Sequence, residues 1–317
     1  MINNDLIKNL LNNERRAVAR SISLVESDNE FSAELLKRIY TSVGRAYRIG
    51  ITGPPGAGKS TITNFLSKYY RTKDKKVGVI AVDPTSPFTG GALLGDRIRM
   101  SELVNDKGIF VRSMATRGSL GGLSKKAVDA ADVLDAAGYD IIIFETVGVG
   151  QSELDIAQAA DTTIVVLVPE SGDTVQAMKA GLMEIADFFV MNKSDRPASE
   201  QAVMALKSIL GLREHNADTW MPSIIKSIAT ENKGINEIAE EVDKHHQYLN
   251  NTGNFIKRRE NRAKQRIKDI VEEKIRRELW GESRENSLNS SLENVVLGNL
   301  SPYHIAEKII EDFKKNL

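Results

Sequence analysis

The sequence contains no cysteine, so disulfides, a thiolate nucleophile and a sulfur-ligated metal are all excluded. Histidine is scarce, and His215, His245, His246 and His304 are thin material for an imidazole metal site. An excess of charge of one sign is also lacking. The 43 basic and 43 acidic residues leave a formal net charge of zero, which argues against a nucleic-acid surface as the main business. No apolar run approaches membrane-spanning length, and Met1-Ile2-Asn3-Asn4-Asp5 has neither the basic start nor the apolar core of a signal peptide. The expectation is a soluble, cytoplasmic protein without a nucleic-acid or membrane partner. Its 317 residues, 41% hydrophobic, suffice for one sizeable α/β core with smaller additions.

Apolar spacing of three and four residues from Leu6 to Ile39, broken at Glu26-Ser27-Asp28-Asn29, predicts an N-terminal helical extension over residues 1–45. From Ala46 the pattern changes to short β-branched runs separated by helices: Tyr47 to Ile51, Val77 to Val82, Tyr139 to Phe144, Thr162 to Val168, Asp187 to Met191 and Met221 to Ile228. Runs so continuously apolar suit a mainly parallel central sheet flanked by helices, with binding residues just past the carboxyl ends of the strands. That domain is expected over residues 46–250, and a helical region over 251–317. In the latter, Phe255 to Trp280 reads as a charged helix with Ile267, Val271, Ile275 and Leu279 on one face, Gly281 to Ser290 as loop, and Ser301-Pro302 as the start of a last helix.

Gly53-Pro54-Pro55-Gly56-Ala57-Gly58-Lys59-Ser60-Thr61 follows the first run and opens a helical pattern, the context of a P-loop in a nucleoside triphosphatase. Its glycines let backbone N–H groups face phosphates, and Lys59 reaches the outer ones. The Ser60 hydroxyl suits Mg²⁺, and Thr61 the α-phosphate. Asp83, at the end of the run Val77 to Val82, can hold Mg²⁺ or its water, or cap the turn made by Pro84. Asp96, in Gly95-Asp96-Arg97-Ile98-Arg99-Met100, is a candidate Mg²⁺ or water contact in a nucleotide-responsive segment. Arg97 and Arg99 read phosphate or pair with acids.

Glu145 at the tip of Ile141-Ile142-Ile143-Phe144 suits contact with Mg²⁺ through water, or orientation of the attacking water. Gly148 is placed to sense the γ-phosphate through its N–H, and Gln151 is either a water-positioning or a helix-start residue. Asn192-Lys193-Ser194-Asp195 has the N-K-x-D pattern: Asp195 accepts two hydrogen bonds from guanine, Lys193 covers the ring, and Asn192 ties the loop to the P-loop. Adenine offers neither donor, so a buried Asp195 would reject ATP. In Ile228-Ala229-Thr230, the N–H of Ala229 can meet guanine O6. The expected ligands are therefore GTP or GDP with Mg²⁺. Pro169 to Lys179 reads as an ordinary turn and helix or as a further nucleotide-responsive segment.

Taken together, these segments resemble the MeaB/ArgK family, the GTPases associated with methylmalonyl-CoA mutase. The likeness is carried by Arg20-Ser21-Ile22-Ser23-Leu24-Val25-Glu26, Gly50 to Ser60, Asp83-Pro84-Thr85-Ser86, Gly95 to Met100 and Glu145 to Glu153. It implies a homodimeric GTPase chaperone that gates adenosylcobalamin loading of a B12-dependent acyl-CoA mutase and protects it. Ser60, Asp83, Asp96 and Glu145 would form the metal and hydrolysis shell, Asp173 and Lys179 would relay mutase binding, and the C-terminal helices would dimerise. One departure is Ile228, where a Ser usually precedes Ala229, which removes a hydroxyl near Asp195. Two other readings share the architecture. A nickel-inserting GTPase would want Cys or His near its switch segments, where this chain has neither. The other is a nucleotide-gated scaffold with incidental turnover.

Overall fold

The computed structural model describes residues 3–27, 30–83, 103, 105–115, 122–146, 152–169, 181–212 and 219–315. Asp96, Gly148, Gln151, Asp173 and Lys179 lie outside them. By internal contacts the chain divides into residues 1–256 and 257–317.

In the first unit, seven strands form one sheet: β1 (Tyr47–Thr52), β2 (Val77–Asp83), β3 (Ile109–Ala115), β4 (Ile141–Thr146), β5 (Thr162–Leu167), β6 (Phe188–Met191) and β7 (Ile224–Lys226), in the order β3-β2-β4-β1-β5-β6-β7. All six strand pairings are parallel, as continuous apolar strands with two covered faces require. On one face, Ile49, Ile51, Ile143 and Val166 pack with Ile62 and Leu66 of α4 (Lys59–Thr72), and with Ile238 and Val242 of a later helix, Ile235–Asn251.

On the other face, the N-terminal extension packs onto a helix that itself covers the sheet. Its helices are α1 (Asn4–Leu11), α2 (Arg15–Ser27) and α3 (Glu30–Ile39), and Val18, Ile22, Val25 and Leu35 join Ile142 and Phe144 in one cluster with Ala130 and Leu134 of α5 (Gly122–Ala136). The chain passes from α3 into β1 through a carboxylate: Asp135 accepts the N–H groups of Gly44, Arg45 and Ala46 at 2.8, 3.1 and 3.1 Å. Next to it, Arg48 donates to Asp132 at 2.6 Å. Burial works against the Arg48 charge, yet Asp132, Asp161 and Asp135 outweigh it and raise its pKa above the ordinary value. Between β4 and β5 the chain forms α6 (Ser152–Ala159), and beyond β5, α7 (Leu182–Ile185), α8 (Ser199–Leu210) and α9 (Ile235–Asn251) complete the layers. At the amino ends of the strands, Tyr47 and Thr162 hydroxyls meet at 2.5 Å, Thr162 meets His245 Nδ1 at 2.7 Å, and His245 Nε2 faces Asp187 at 3.3 Å. Thr162 thus links β1 and β5 to this histidine of α9, at the end of the sheet opposite the candidate site.

Three expectations differ from the structure. Strand β3 was not anticipated, because Arg112 and Ser113 interrupt its apolar run; it is an edge strand, and Arg112 pairs with Glu26 of α2. The last run, Met221 to Ile228, narrows to the three residues of β7. In the second unit the segment read as loop is the helix α11 (Glu282–Val296), between α10 (Asn254–Leu279) and α12 (Pro302–Lys315). Its serines and asparagines lower helix propensity without forbidding a helix, while half-buried Leu288, Ser291 and Val295 keep the period. Within that unit Arg284 pairs with Asp312 at 3.2 Å and lies 5.1 Å over the Phe313 ring, and Ile305 and Ile309 are buried. No described helix is long and apolar enough to cross a membrane.

Candidate functional site

The candidate residues gather at the carboxyl ends of β1, β2, β4, β6 and β7. Strand β1 lies between β4 and β5, so the sheet reverses its order there and leaves a crevice at the strand tips. Gly53, immediately after β1, has φ +132°, and a Cβ would sit 2.1 Å from the Val166 carbonyl oxygen. Gly58, before the first residue of α4, has φ +94°, and its Cβ would fall 2.2 Å from Asn192 Nδ2. The loop thus needs glycine at both ends, once to clear β5 and once to admit the asparagine. Pro54 and Ala57 are buried, whereas Pro55 and Gly56 are exposed at the crest.

Lys59 is buried, and its Nζ donates to the carbonyl oxygens of Gly53 and Pro54, both at 2.8 Å. The ammonium therefore arches back over the loop whose N–H groups open the helix, and places its charge at the concave face. Half-buried Ser60 donates its hydroxyl to Glu145 Oε1, and Thr61 continues the first turn of α4. Glu145 is the fifth residue of β4 and stands in register with Ile51 of β1 and Ala81 of β2. Asp83 ends β2 one position beyond Val82, the partner of Thr146. On the other side of the sheet, buried Thr146 donates to buried Thr52 at 3.0 Å, holding together the tips from which the P-loop and the Glu145 segment leave.

The second half of the site follows β6. Asn192 is 3% exposed; its Nδ2 donates to the Ala57 carbonyl at 2.8 Å, and its Oδ1 accepts from Ser227 Oγ at 3.1 Å and from the Ala229 N–H at 3.0 Å. One side chain thus joins the P-loop, the loop after β6 and the loop after β7. Lys193 takes a left-handed backbone, φ +56°, and the Ser194 N–H donates to the Ser227 carbonyl at 3.0 Å. Asp195 is exposed rather than buried. The Ala229 N–H, read from the sequence as a donor to guanine O6, is engaged by Asn192 Oδ1. Ile228 is half-buried and forms a backbone bridge with Lys233, and Thr230 is exposed in the short turn Ala229–Glu231.

Sequence reasoning missed Ser227 and Lys233. The Lys233 ammonium lies 2.6 Å from Glu231, and its pKa is raised by that hydrogen bond and charge, with a further contribution from Asp195. A lysine seven residues beyond a three-residue strand gives no spacing signal.

A buried lysine on a glycine-rich loop, hydroxyl and carboxylate oxygens beside it, and an N-K-x-D loop bonded to the same loop stand together at one end of the sheet. The description "Methylmalonyl Co-A mutase-associated GTPase MeaB" matches residues 18–284. The chain belongs to the MeaB family of GTPases. A Pyrococcus abyssi protein that carries a GTPase name is 46% identical over 310 residues, covering 97% of this chain and 96% of that one. The mouse protein named methylmalonic aciduria type A homolog, mitochondrial, is 32% identical, covering 98% and 79%. A crystal structure titled as a LAO/AO transport system kinase superposes with a TM-score of 0.73 at 29% identity, covering 99% of each chain. The all-parallel sheet with its flanking helices is therefore the P-loop fold in its MeaB-family form.

Proposed function

We propose that the chain hydrolyses GTP to GDP and phosphate with Mg²⁺, and that this turnover gates adenosylcobalamin loading and protection of a B12-dependent acyl-CoA mutase. The observation that carries the nucleotide half is the Asn192 bridge to Ala57, which sets the guanine-type loop at a fixed distance from the phosphate loop. In this reading Lys59 and the loop N–H groups hold the phosphates, Asp195 accepts from guanine, and Lys193 covers the ring. Glu145 orients water from the tip of β4. The donor set next to Lys59 fits Mg²⁺, because the Ser60 hydroxyl and the Glu145 carboxylate are hard oxygens already in contact. Ser60, Glu145, Asp83 and Asp96 are the residues that would hold the ion, which would neutralise phosphate charge.

Support for the mutase half comes from the family description and from the name of the mouse relative. Assembly as a homodimer is supported by α10, where Ile267, Ile270, Val271 and Ile275 are 47% to 63% exposed, an apolar row of the kind that a partner helix covers. The working division is a nucleotide domain between helical extensions, in a cytoplasmic protein. The test is GTP turnover and adenosylcobalamin transfer, measured with stoichiometric B12-dependent acyl-CoA mutases. The reading expects one mutase to accelerate turnover and to be loaded only with hydrolysable GTP. Turnover indifferent to every such mutase would remove the chaperone role and leave the GTPase.

A further inference from the structure

One residue before Ile228 stands a buried hydroxyl that meets Asn192. Ser227 is 1% exposed, its N–H donates to Met191 O at 2.9 Å, and its own carbonyl receives the Ser194 N–H at 3.0 Å. With the backbone held on both sides, the Ser227 hydroxyl reaches Asn192 Oδ1 at 3.1 Å. The Asn192 amide has its orientation set by what surrounds it: Nδ2 must face the Ala57 carbonyl, and Oδ1 must face two donors, Ser227 Oγ and Ala229 N–H.

These two donors differ in kind. The Ala229 N–H is the group that a 6-oxo purine would draw away, whereas the Ser227 hydroxyl belongs to a buried residue whose backbone is bonded on both sides. We infer that Ser227 is a positioning residue for 6-oxo purine recognition: it keeps Asn192 Oδ1 satisfied, and the amide aimed at the P-loop, when the Ala229 N–H turns to the base. Without it, engagement of a 6-oxo group would strand a buried acceptor, a cost that falls on the bound state alone. Gly234 belongs to the same device. Its φ is +84°, and a Cβ there would lie 2.4 Å from the Lys226 carbonyl oxygen and 2.9 Å from the Cα and Cβ of Ser227, so the turn must stay bare for the backbone that carries the serine.

The inference rests on the GTPase reading, and its test separates the two. GDP and the diphosphate of 2-aminopurine riboside, which has no 6-oxo group, are each titrated against the full-length wild type, Ser227→Ala and Ser227→Thr. The melting temperature of each ligand-free protein is recorded beside them. Ser227→Ala is expected to bind GDP about tenfold more weakly, chiefly through faster dissociation, with the 2-aminopurine affinity unchanged and Ser227→Thr close to wild type. An equal loss for both nucleotides, or one that follows a lowered melting temperature, would make the hydroxyl merely structural. GDP binding unchanged in Ser227→Ala would overturn the inference while leaving the GTPase reading intact. A wild type that binds no GDP would overturn both.

Discussion

Asn192 donates to the carbonyl oxygen of Ala57 at 2.8 Å, across 135 residues of chain. The glycine-rich loop and the N-K-x-D loop are therefore joined by one buried amide, through which a change in either loop reaches the other.

Lys59 is held over the loop by two backbone carbonyls, so its truncation removes a charge without opening the core. Lys59→Ala is expected to weaken GTP and GDP about 100-fold or more, in line with the charge-assisted contacts it would make to phosphate. Isothermal titration is the check, with circular dichroism unchanged.

Glu145 meets Ser60 from the tip of β4, which places it for chemistry more than for affinity. Glu145→Ala should lower single-turnover GTP hydrolysis about 100-fold while the dissociation constant for GTP moves less than about threefold. Equal losses in both would make it a binding or structural residue. The same variant should need more Mg²⁺ to reach half-maximal GDP binding, read as a shifted midpoint in a Mg²⁺ titration.

Burial pushes the Tyr139 phenol up to about 12, against an opposing contribution from Arg15. Its folded value is raised above the unfolded one. The stabilisation is therefore complete below about pH 10 and is lost as pH rises towards 12. Urea denaturation from pH 9 to 11.5 should show that loss for the wild type and a flatter profile for Tyr139→Phe; identical profiles would exclude Tyr139 as its source.

The P-loop was legible because its spacing encodes backbone geometry: Gly53 and Gly58 are forced by a strand carbonyl and by an asparagine that no other residue would clear. The tie from Asn192 to that loop was legible for the same reason, and the parallel sheet followed from apolar runs too continuous to have a wet face. What escaped was set by tertiary position. Strand β3 is an edge whose Arg112 is neutralised by Glu26 of a helix far back in the chain. Ser227 could be recognised only once Ile228 was seen to turn its backbone to Lys233, leaving the hydroxyl one position earlier to meet the asparagine. Asp195 was weighed as a buried carboxylate and is exposed.

The central claim is that an N-K-x-D loop fastened to a P-loop makes this chain select guanine. The most direct measurement is phosphate release from GTP and from ATP by the wild type and by Asp195→Asn under the same Mg²⁺. The account predicts that the wild type prefers GTP by at least about 100-fold in kcat/KM and that Asp195→Asn loses most of that preference by weakening GTP. Equal use of GTP and ATP by the wild type, or a preference that survives Asp195→Asn, would contradict it.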